Sequence, residues 1–313
     1  MGIIKGICIS EKKGTQKHTV PSGMLVANHG LENDAHAGNW HRQVSLLSFE
    51  KIEEFRAKGA EVEFGAFGEN LIVDGFDFRN LPVGTRFACG DALLEMTQIG
   101  KECHSHCEIY KIMGDCIMPR EGVFAKVIKG GAVKEGDELV QLPLDPNRPL
   151  TAAVITLSDK GFKGEREDKS GPILVKELQK DGYDVVETMI LPDEKAMLTR
   201  HLMRLADQRQ VNLILTTGGT GFAPRDITPE ATLSVATKNA PGIAEAIRAY
   251  SMTITKRAML SREVSVIRNG SLIVNLPGSP KAVKECIDFV LPSLRHGIEI
   301  LTGRDSECGK DAE

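Results

Sequence analysis

The stretch Thr216-Thr217-Gly218-Gly219-Thr220-Gly221-Phe222-Ala223-Pro224-Arg225-Asp226 sets hydroxyls, glycines, a guanidinium and a carboxylate on one continuous run. Glycines let a backbone turn sharply and approach a ligand more closely than side chains would permit. The N–H groups freed by such a turn make a ready seat for phosphate. Asp226 follows closely enough to hold a cation against bound phosphates. With a second carboxylate brought in by another loop, such a glycine cradle suits transfer of a nucleotidyl group, in which charge builds on the attacked phosphate and on the departing pyrophosphate and Mg²⁺ held by the carboxylates neutralises it. The plain alternative is a tight strand-to-helix turn with no ligand. Neither G-x-x-x-x-G-K-[ST] nor G-x-G-x-x-G occurs, which removes P-loop ATPases and dinucleotide-binding proteins from consideration.

A second group, Cys103-His104-Ser105-His106-Cys107 with Cys116 and His36 further off, admits three readings. The cysteines and histidines could ligate zinc, although no paired knuckle accompanies them. The cysteines could be small buried apolar groups. Cys103 could also be a reactive thiolate, its pKa lowered by Lys101, His104 and His106.

These side chains need elements to position them. The apolar run Val211–Leu215 reads as a buried strand driving into the glycines, and Thr228-Pro229-Glu230 reads as a helix start with Thr228 as its cap. Upstream, Ala152–Leu157 and Tyr183–Leu191 are strand-like. Ser170 and Pro172 open a helix through Gln179, with Ser170 capping it. Asp193–Gln208 is helical, with Leu198, Leu202 and Leu205 on one stripe, and on its own Asp193 reads as that helix's N-cap. Downstream come a helix over Pro241–Lys256, a hairpin of Val264–Ile267 and Leu272–Asn275 around Asn269-Gly270, and a last helix from Ser279-Pro280 that Pro292 should kink or split. Strands alternating with helices imply a three-layer α/β/α domain with a mostly parallel sheet. Ligands sit beyond the carboxyl ends of such strands, where the loops Ser158–Ser170, Leu191–Glu194, Thr216–Asp226 and Asn275–Ser279 should converge.

The first 142 residues have a different texture. Short β-like runs (Ile3–Ile9, Val44–Phe49, Leu71–Val73, Thr85–Ala88, Ala92–Thr97, Val123–Ile128, Glu138–Leu142) alternate with glycine turns, and helical patterning is scarce, Glu50–Lys58 being one stretch. A mostly-β barrel is expected. Pro143, Pro146 and Pro149 then stiffen the chain into a spacer. The boundary is placed near residue 147, giving domains 1–147 and 148–313.

At 313 residues two domains are the default. A net charge of −4 gives no electrostatic case for nucleic acid. No apolar run approaches the roughly 20 residues that span a bilayer, and Met1-Gly2-Ile3-Ile4-Lys5 lacks the regions of a signal peptide, so no membrane partner is expected. Seven cysteines, an odd number in a long chain, suit a reducing compartment, and the cytoplasm is the expected location.

Residues 151–303 resemble a molybdopterin adenylyltransferase domain, the kind found alone in bacteria and as the G domain of gephyrin. The resemblance rests on Ser158-Asp159, Gly164-Glu165-Arg166-Glu167-Asp168, Ser170-Gly171-Pro172, Leu191-Pro192-Asp193-Glu194, the glycine run, Pro241-Gly242 and Asn275-Leu276-Pro277-Gly278-Ser279-Pro280. It implies that ATP and molybdopterin are the substrates, with Asp193 and Asp226 the catalytic carboxylates holding Mg²⁺ through substrate phosphates. It implies substrate binding by Thr217, Gly218, Gly219, Thr220, Gly221, Asn275 and Pro277. Ser158, Asp159, Gly278 and Ser279 fit pterin or phosphate, or equally ordinary turns. The segment 165–168 becomes a substrate-side lid. No pyridoxal phosphate is called for. A homotrimer is implied, with a molybdenum-insertion enzyme and cofactor-dependent enzymes as partners.

In the first half, Gly30 to Gly38, His41-Arg42-Gln43-Val44-Ser45, Phe67-Gly68-Glu69-Asn70-Leu71, Val83-Gly84-Thr85 and Ile99 to Cys107 together resemble a MOSC domain, named for molybdenum cofactor sulfurases. That resemblance makes Cys103 the family cysteine, carrying sulfur as a persulfide or ligating molybdenum. It makes His36 and Arg42 pocket residues, the guanidinium suiting a phosphate; on their own both read as surface residues. The molybdenum cofactor itself is then a candidate ligand of this half. Two other readings stay open: a scaffold that holds molybdopterin without turnover, and a cofactor-dependent reductase or sulfur-transfer module in the MOSC half.

Overall fold

A computed structural model describes residues 1–101, 110 and 113–304. The chain divides into two compact units, Met1–Asp145 and Pro146–Glu313.

The first unit is built from β1 (Gly2–Ile9), β2 (His18–Val20), β3 (Ser22–Val26), β4 (Gly30–Leu31), β5 (Val44–Ser48), α1 (Phe49–Arg56), β6 (Leu71–Asp74), β7 (Arg86–Cys89), β8 (Ala92–Ile99), β9 (Val123–Lys129), β10 (Gly131–Lys134) and β11 (Glu138–Gln141). Among the described residues, seven strands close a ring in the order β1-β11-β7-β8-β9-β5-β6 and back to β1. A ring with an odd number of strands cannot alternate direction all the way round, so one neighbouring pair must run parallel. That pair is β5 and β6, and α1 makes the crossover that parallel neighbours require. Ile4, Leu46, Phe87, Leu94, Met96 and Val127 fill one core, while Ile52 and Phe55 of α1 pack with Leu47, Phe67 and Ile72 in another. The expected barrel is present. Its strands β3, β4 and β10, paired in a small separate sheet, have no counterpart in the sequence pattern.

The second unit contains β12 (Thr151–Leu157), α2 (Asp159–Phe162), α3 (Ser170–Lys180), β13 (Asp184–Leu191), α4 (Lys195–Met203), β14 (Leu213–Thr217), α5 (Thr228–Ser234), β15 (Lys238–Asn239), α6 (Pro241–Ile254), β16 (Ser265–Arg268), β17 (Ser271–Leu276) and α7 (Pro280–Leu301). The sheet runs β13-β12-β14-β17-β16-β15, with the first four parallel and the last two joined antiparallel. β12 is buried on both faces. Ala152 and Val154 meet Leu174, Leu178, Ile247, Val283 and Ile287 on one side, and Ala153, Ile155 and Leu157 meet Leu198, Leu202 and Ala231 on the other. Each fully buried aliphatic side chain stabilises by roughly 1.5–3 kcal/mol. These are the three layers expected from the alternation.

Three local expectations are corrected. α7 runs unbroken through Pro292. The proline deprives the carbonyl four residues back of its donor, but Asp288 is exposed and Val290, Leu291, Leu294 and Ile298 anchor the helix on both sides. Ser170 and Thr228 are not caps but first helical residues. The N–H groups of Ser170 and Gly171 are capped by Asp168 instead, each at 3.0 Å.

Candidate active site

β12, β13, β14 and β17 end at one edge of the sheet, and the loops beyond them are tied together by hydrogen bonds. Thr217 Oγ1 donates to the Pro277 carbonyl at 2.7 Å, and Ser170 Oγ donates to the Gly278 carbonyl at 2.9 Å. Asp159 N donates to Asp193 Oδ2 and Asp193 N donates to Asp159 Oδ1, both at 3.1 Å. Arg225 closes the remaining gap, binding both carboxylate oxygens of Asp159 at 3.0 and 2.7 Å. All four expected loops are thereby in contact.

The glycine turn works through its backbone. Gly218 and Gly219 have φ of 96° and 64°, in the left-handed region that favours glycine. A Cβ on Gly219 would lie 2.4 Å from Thr228 Oγ1 and 3.1 Å from Asp193 Oδ1. Thr228 is therefore a brace: its hydroxyl donates to the Gly218 carbonyl at 2.8 Å, and its N–H to the Gly219 carbonyl at 3.1 Å. Asp226 Oδ2 accepts from Ala223 N at 3.0 Å, which holds the carboxylate within its own turn.

The carboxylates sit in different electrostatic settings. Asp193 Oδ1 is buried without a hydrogen-bond donor. Burial pushes the Asp193 carboxyl above its ordinary range, and the charges of Asp159 and Asp226 add to the push. Asp159 is held below its ordinary range, first by the hydrogen bond from Arg225 and then by that from Asp193 N. Asp193 is not the N-cap of α4: Glu194 holds the cap position, and the Asp193 carboxylate serves Asp159.

Not every sequence candidate reaches the surface of this cleft. Asn275 is 0 % exposed, and its amide donates to Thr216 Oγ1 and Thr232 Oγ1, both at 2.9 Å. Thr217 is likewise enclosed, and Thr220 nearly so. The Asn275 and Thr217 side chains brace the strand ends. Ser158 caps α2 by accepting from Gly161 N at 3.0 Å. Gly218 is buried, Gly219, Gly221 and Pro277 are half-buried, and Gly278 and Ser279 are exposed. Sequence reading missed Arg225 as the partner of Asp159, and Asp168 as the acceptor of Thr156 Oγ1 at 2.7 Å. The first pairing joins two separate loops and the second brings a loop residue back to strand β12, and no local pattern announces either.

In the barrel unit His36 and Arg42 are half-buried rather than plain surface residues. The Arg42 guanidinium lies 4.7 Å from the Trp40 ring centre and 5.5 Å from that of Phe124, and Trp40 Nε1 donates to the His36 carbonyl at 3.0 Å. His36 Nδ1 is 3.8 Å from Asp34 Oδ2 and accepts or donates no hydrogen bond. Asp34 is itself paired with the buried Lys17 at 2.7 Å. Burial, then the Lys17 charge, hold the His36 pKa below its usual value. Cys103, His104, His106 and Cys107, with every reading made of them, lie outside the described residues. Cys116 is buried, and no group of three metal-ligating side chains occurs among the described residues.

Comparison with known proteins adds family to geometry. Residues 153–296 match the model of a probable molybdopterin binding domain, and residues 33–140 match the MOSC domain. A molybdopterin adenylyltransferase of Helicobacter pylori strain J99 is 40% identical over 152 residues, covering 48% of this chain and 86% of that protein. The molybdopterin adenylyltransferase of Escherichia coli K12 is 42% identical over 144 residues, covering 45% of this chain and 73% of that protein. Among solved structures, the molybdopterin biosynthesis enzyme MoaB of Thermus thermophilus is similar at 42% identity, covering 49% of this chain and 97% of that one, with a TM-score of 0.47.

Proposed function

We propose that this chain, which belongs to the molybdopterin adenylyltransferase family through its C-terminal half and carries a MOSC domain ahead of it, transfers the adenylyl group of ATP to molybdopterin. A terminal phosphate oxygen of molybdopterin attacks the α-phosphorus of ATP, the bond to the β-phosphate oxygen breaks, and pyrophosphate leaves. The observation that carries this reading is the meeting of Asp193, Asp226 and the glycine turn at one sheet edge.

Backbone N–H groups of Gly219–Gly221 bind the phosphates, while that of Gly218 donates to the Leu276 carbonyl. The donor-free Oδ1 of Asp193 and the carboxylate of Asp226 are hard oxygen ligands of the kind that hold Mg²⁺ jointly with substrate phosphates, and that pair fits the ion. When bound, Mg²⁺ neutralises charge on the reacting phosphates. Asp159 positions Asp193 through the paired backbone bonds, and Arg225 supplies positive charge beside the phosphates. The exposed Gly278 and Ser279 belong to the substrate-facing rim.

The MOSC half binds the cofactor or carries sulfur at Cys103, with His36 and Arg42 in its pocket; the donor-free His36 Nδ1 supports that reading. Homotrimer formation uses the C-terminal unit, where Ile254, Met259, Leu260 and Phe289 expose apolar surface on and beside α6 and α7. The molybdenum-insertion enzyme and cofactor-dependent enzymes are the onward partners. Among the described residues no helix is long and apolar enough to cross a membrane, and the cytoplasm is the proposed location. Pyrophosphate release from ATP, measured with and without molybdopterin, tests the activity. Release that never depends on molybdopterin would leave the scaffold reading in its place.

A further inference from the structure

The glycine turn is gripped from outside its own motif. Arg262 N donates to the Thr220 carbonyl at 2.8 Å, Nε to the Gly221 carbonyl at 2.7 Å and Nη2 to the Asp226 carbonyl at 2.8 Å. Its Nη1 pairs with Glu230 in the first turn of α5. One residue thus holds the start of the loop, its end and the helix it leads into.

Between those grips residues 222–225 are exposed, Arg225 reaches out to Asp159, and the carboxylate of Asp226 accepts from Ala223 N within its own turn. Glycines on the entry side add backbone freedom. The bonds from Arg262 to the Gly221 and Asp226 carbonyls, together with the Thr228 brace, fix the backbone on both sides of the exposed stretch that leads to Asp226. The fork of a guanidinium suits the task, since three separate nitrogens in one rigid plane reach two carbonyls and a carboxylate, a spread that the single nitrogen of an ammonium lacks. Three of the five N–H groups of the Arg262 guanidinium are thus spent on the loop and the helix after it.

We propose that Arg262 is the positioning residue for Asp226, locking the glycine loop at the height at which that carboxylate serves adenylyl transfer. The proposal rests on the catalytic reading of Asp226 given above. A displacement of about 1 Å at a reacting centre costs on the order of 100-fold in rate, so the loss of the clamp should be read in kcat.

The test compares full-length Arg262→Ala, Arg262→Lys and Asp226→Asn with the parent under saturating ATP and molybdopterin, with low-millimolar guanidinium chloride added in a second series. Arg262→Ala should lose about 10- to 100-fold in kcat with a smaller change in the KM for ATP. Guanidinium should restore part of that loss, and should restore nothing in Asp226→Asn. Arg262→Lys should resemble the alanine variant, and it decides the matter if the alanine variant does not stay folded. Parental kcat in Arg262→Lys, or a loss in Arg262→Ala that tracks lowered thermal stability and ignores guanidinium, overturns the proposal. Parental turnover in Asp226→Asn would instead remove the reading beneath it.

Discussion

Asp159 and Asp193 each accept the backbone N–H of the other, at 3.1 Å in both directions. The loops after β12 and β13 are thereby locked edge to edge, yet the two carboxylates emerge unequal. Asp159 is satisfied by Arg225, while Asp193 keeps one buried oxygen without a donor.

That inequality predicts a trade between stability and activity. A carboxyl whose folded pKa lies above its unfolded value binds more protons folded than unfolded, so its contribution to stability falls as pH rises through the window between the two values. Asp193 is such a group. Asp193→Asn should therefore raise the melting temperature near neutral pH, an advantage that fades as pH drops below the ordinary carboxylate range, while lowering kcat by on the order of 10²–10³. Melting curves from acidic to neutral pH, paired with turnover, check both halves.

Arg225 and Asp159 are 59 % and 36 % exposed, so solvent screens their ion pair and it adds little to stability. An exposed pair of this kind is easily exchanged for a phosphate partner. Arg225→Gln should leave the melting temperature nearly unchanged and raise the KM for ATP by on the order of tenfold, the worth of one charge-assisted hydrogen bond. An unchanged KM would mean that the guanidinium stays with Asp159 throughout.

Gly219 and Gly164 both have positive φ, but only Gly219 is crowded. Gly164→Ala should cost about 1–2 kcal/mol from backbone strain alone. Gly219→Ala should cost more, because its Cβ would also meet Thr228 Oγ1 and Asp193 Oδ1. Equilibrium denaturation of the two variants separates strain from collision, and equal losses would show that Thr228 yields freely.

Burial pushes the thiol of Cys8 up to about 12 and that of Cys89 up to about 11, and raises that of Cys286 as well. None of these supplies thiolate near neutral pH. Alkylation of the folded protein at pH 7, mapped by peptide mass, should mark Cys103 before any of them. Faster labelling of Cys8 or Cys89 would contradict the burial described for β1 and β7.

The sequence was most readable where one strong local pattern governs. The apolar run ahead of Thr216 could only be buried, and the glycines after it could only turn, so β14 and its loop follow from neighbours alone. Asn269-Gly270 marks the β16–β17 hairpin for the same reason, with Asn269 in the left-handed region. β3 was not readable: only Leu25 is fully buried in Ser22–Val26, and its pairing with β10 is made across the chain. The convergence of four loops followed from strand order, but the bonds that fix it did not. Asp159 meets Asp193 from 34 residues away, and Arg262 meets Asp226 from 36. Thr228 and Ser170 show the opposite error. Their residue types suit a cap, but the tertiary bonds to Gly218 and Gly278 claim both hydroxyls.

The barrel closes by pairing β1 with β11, so Gly2 lies opposite Leu139. The way into this unit and the way out of it are consequently neighbours, about 5 Å apart as adjacent strands are. A module with adjoining ends behaves as a cassette: it can be spliced into a surface turn of an unrelated host without forcing that host's ends apart. Residues 2–141 grafted in this way should fold inside the host, whereas a graft stopping before residue 138 would leave β1 and β7 as raw edges and invite aggregation.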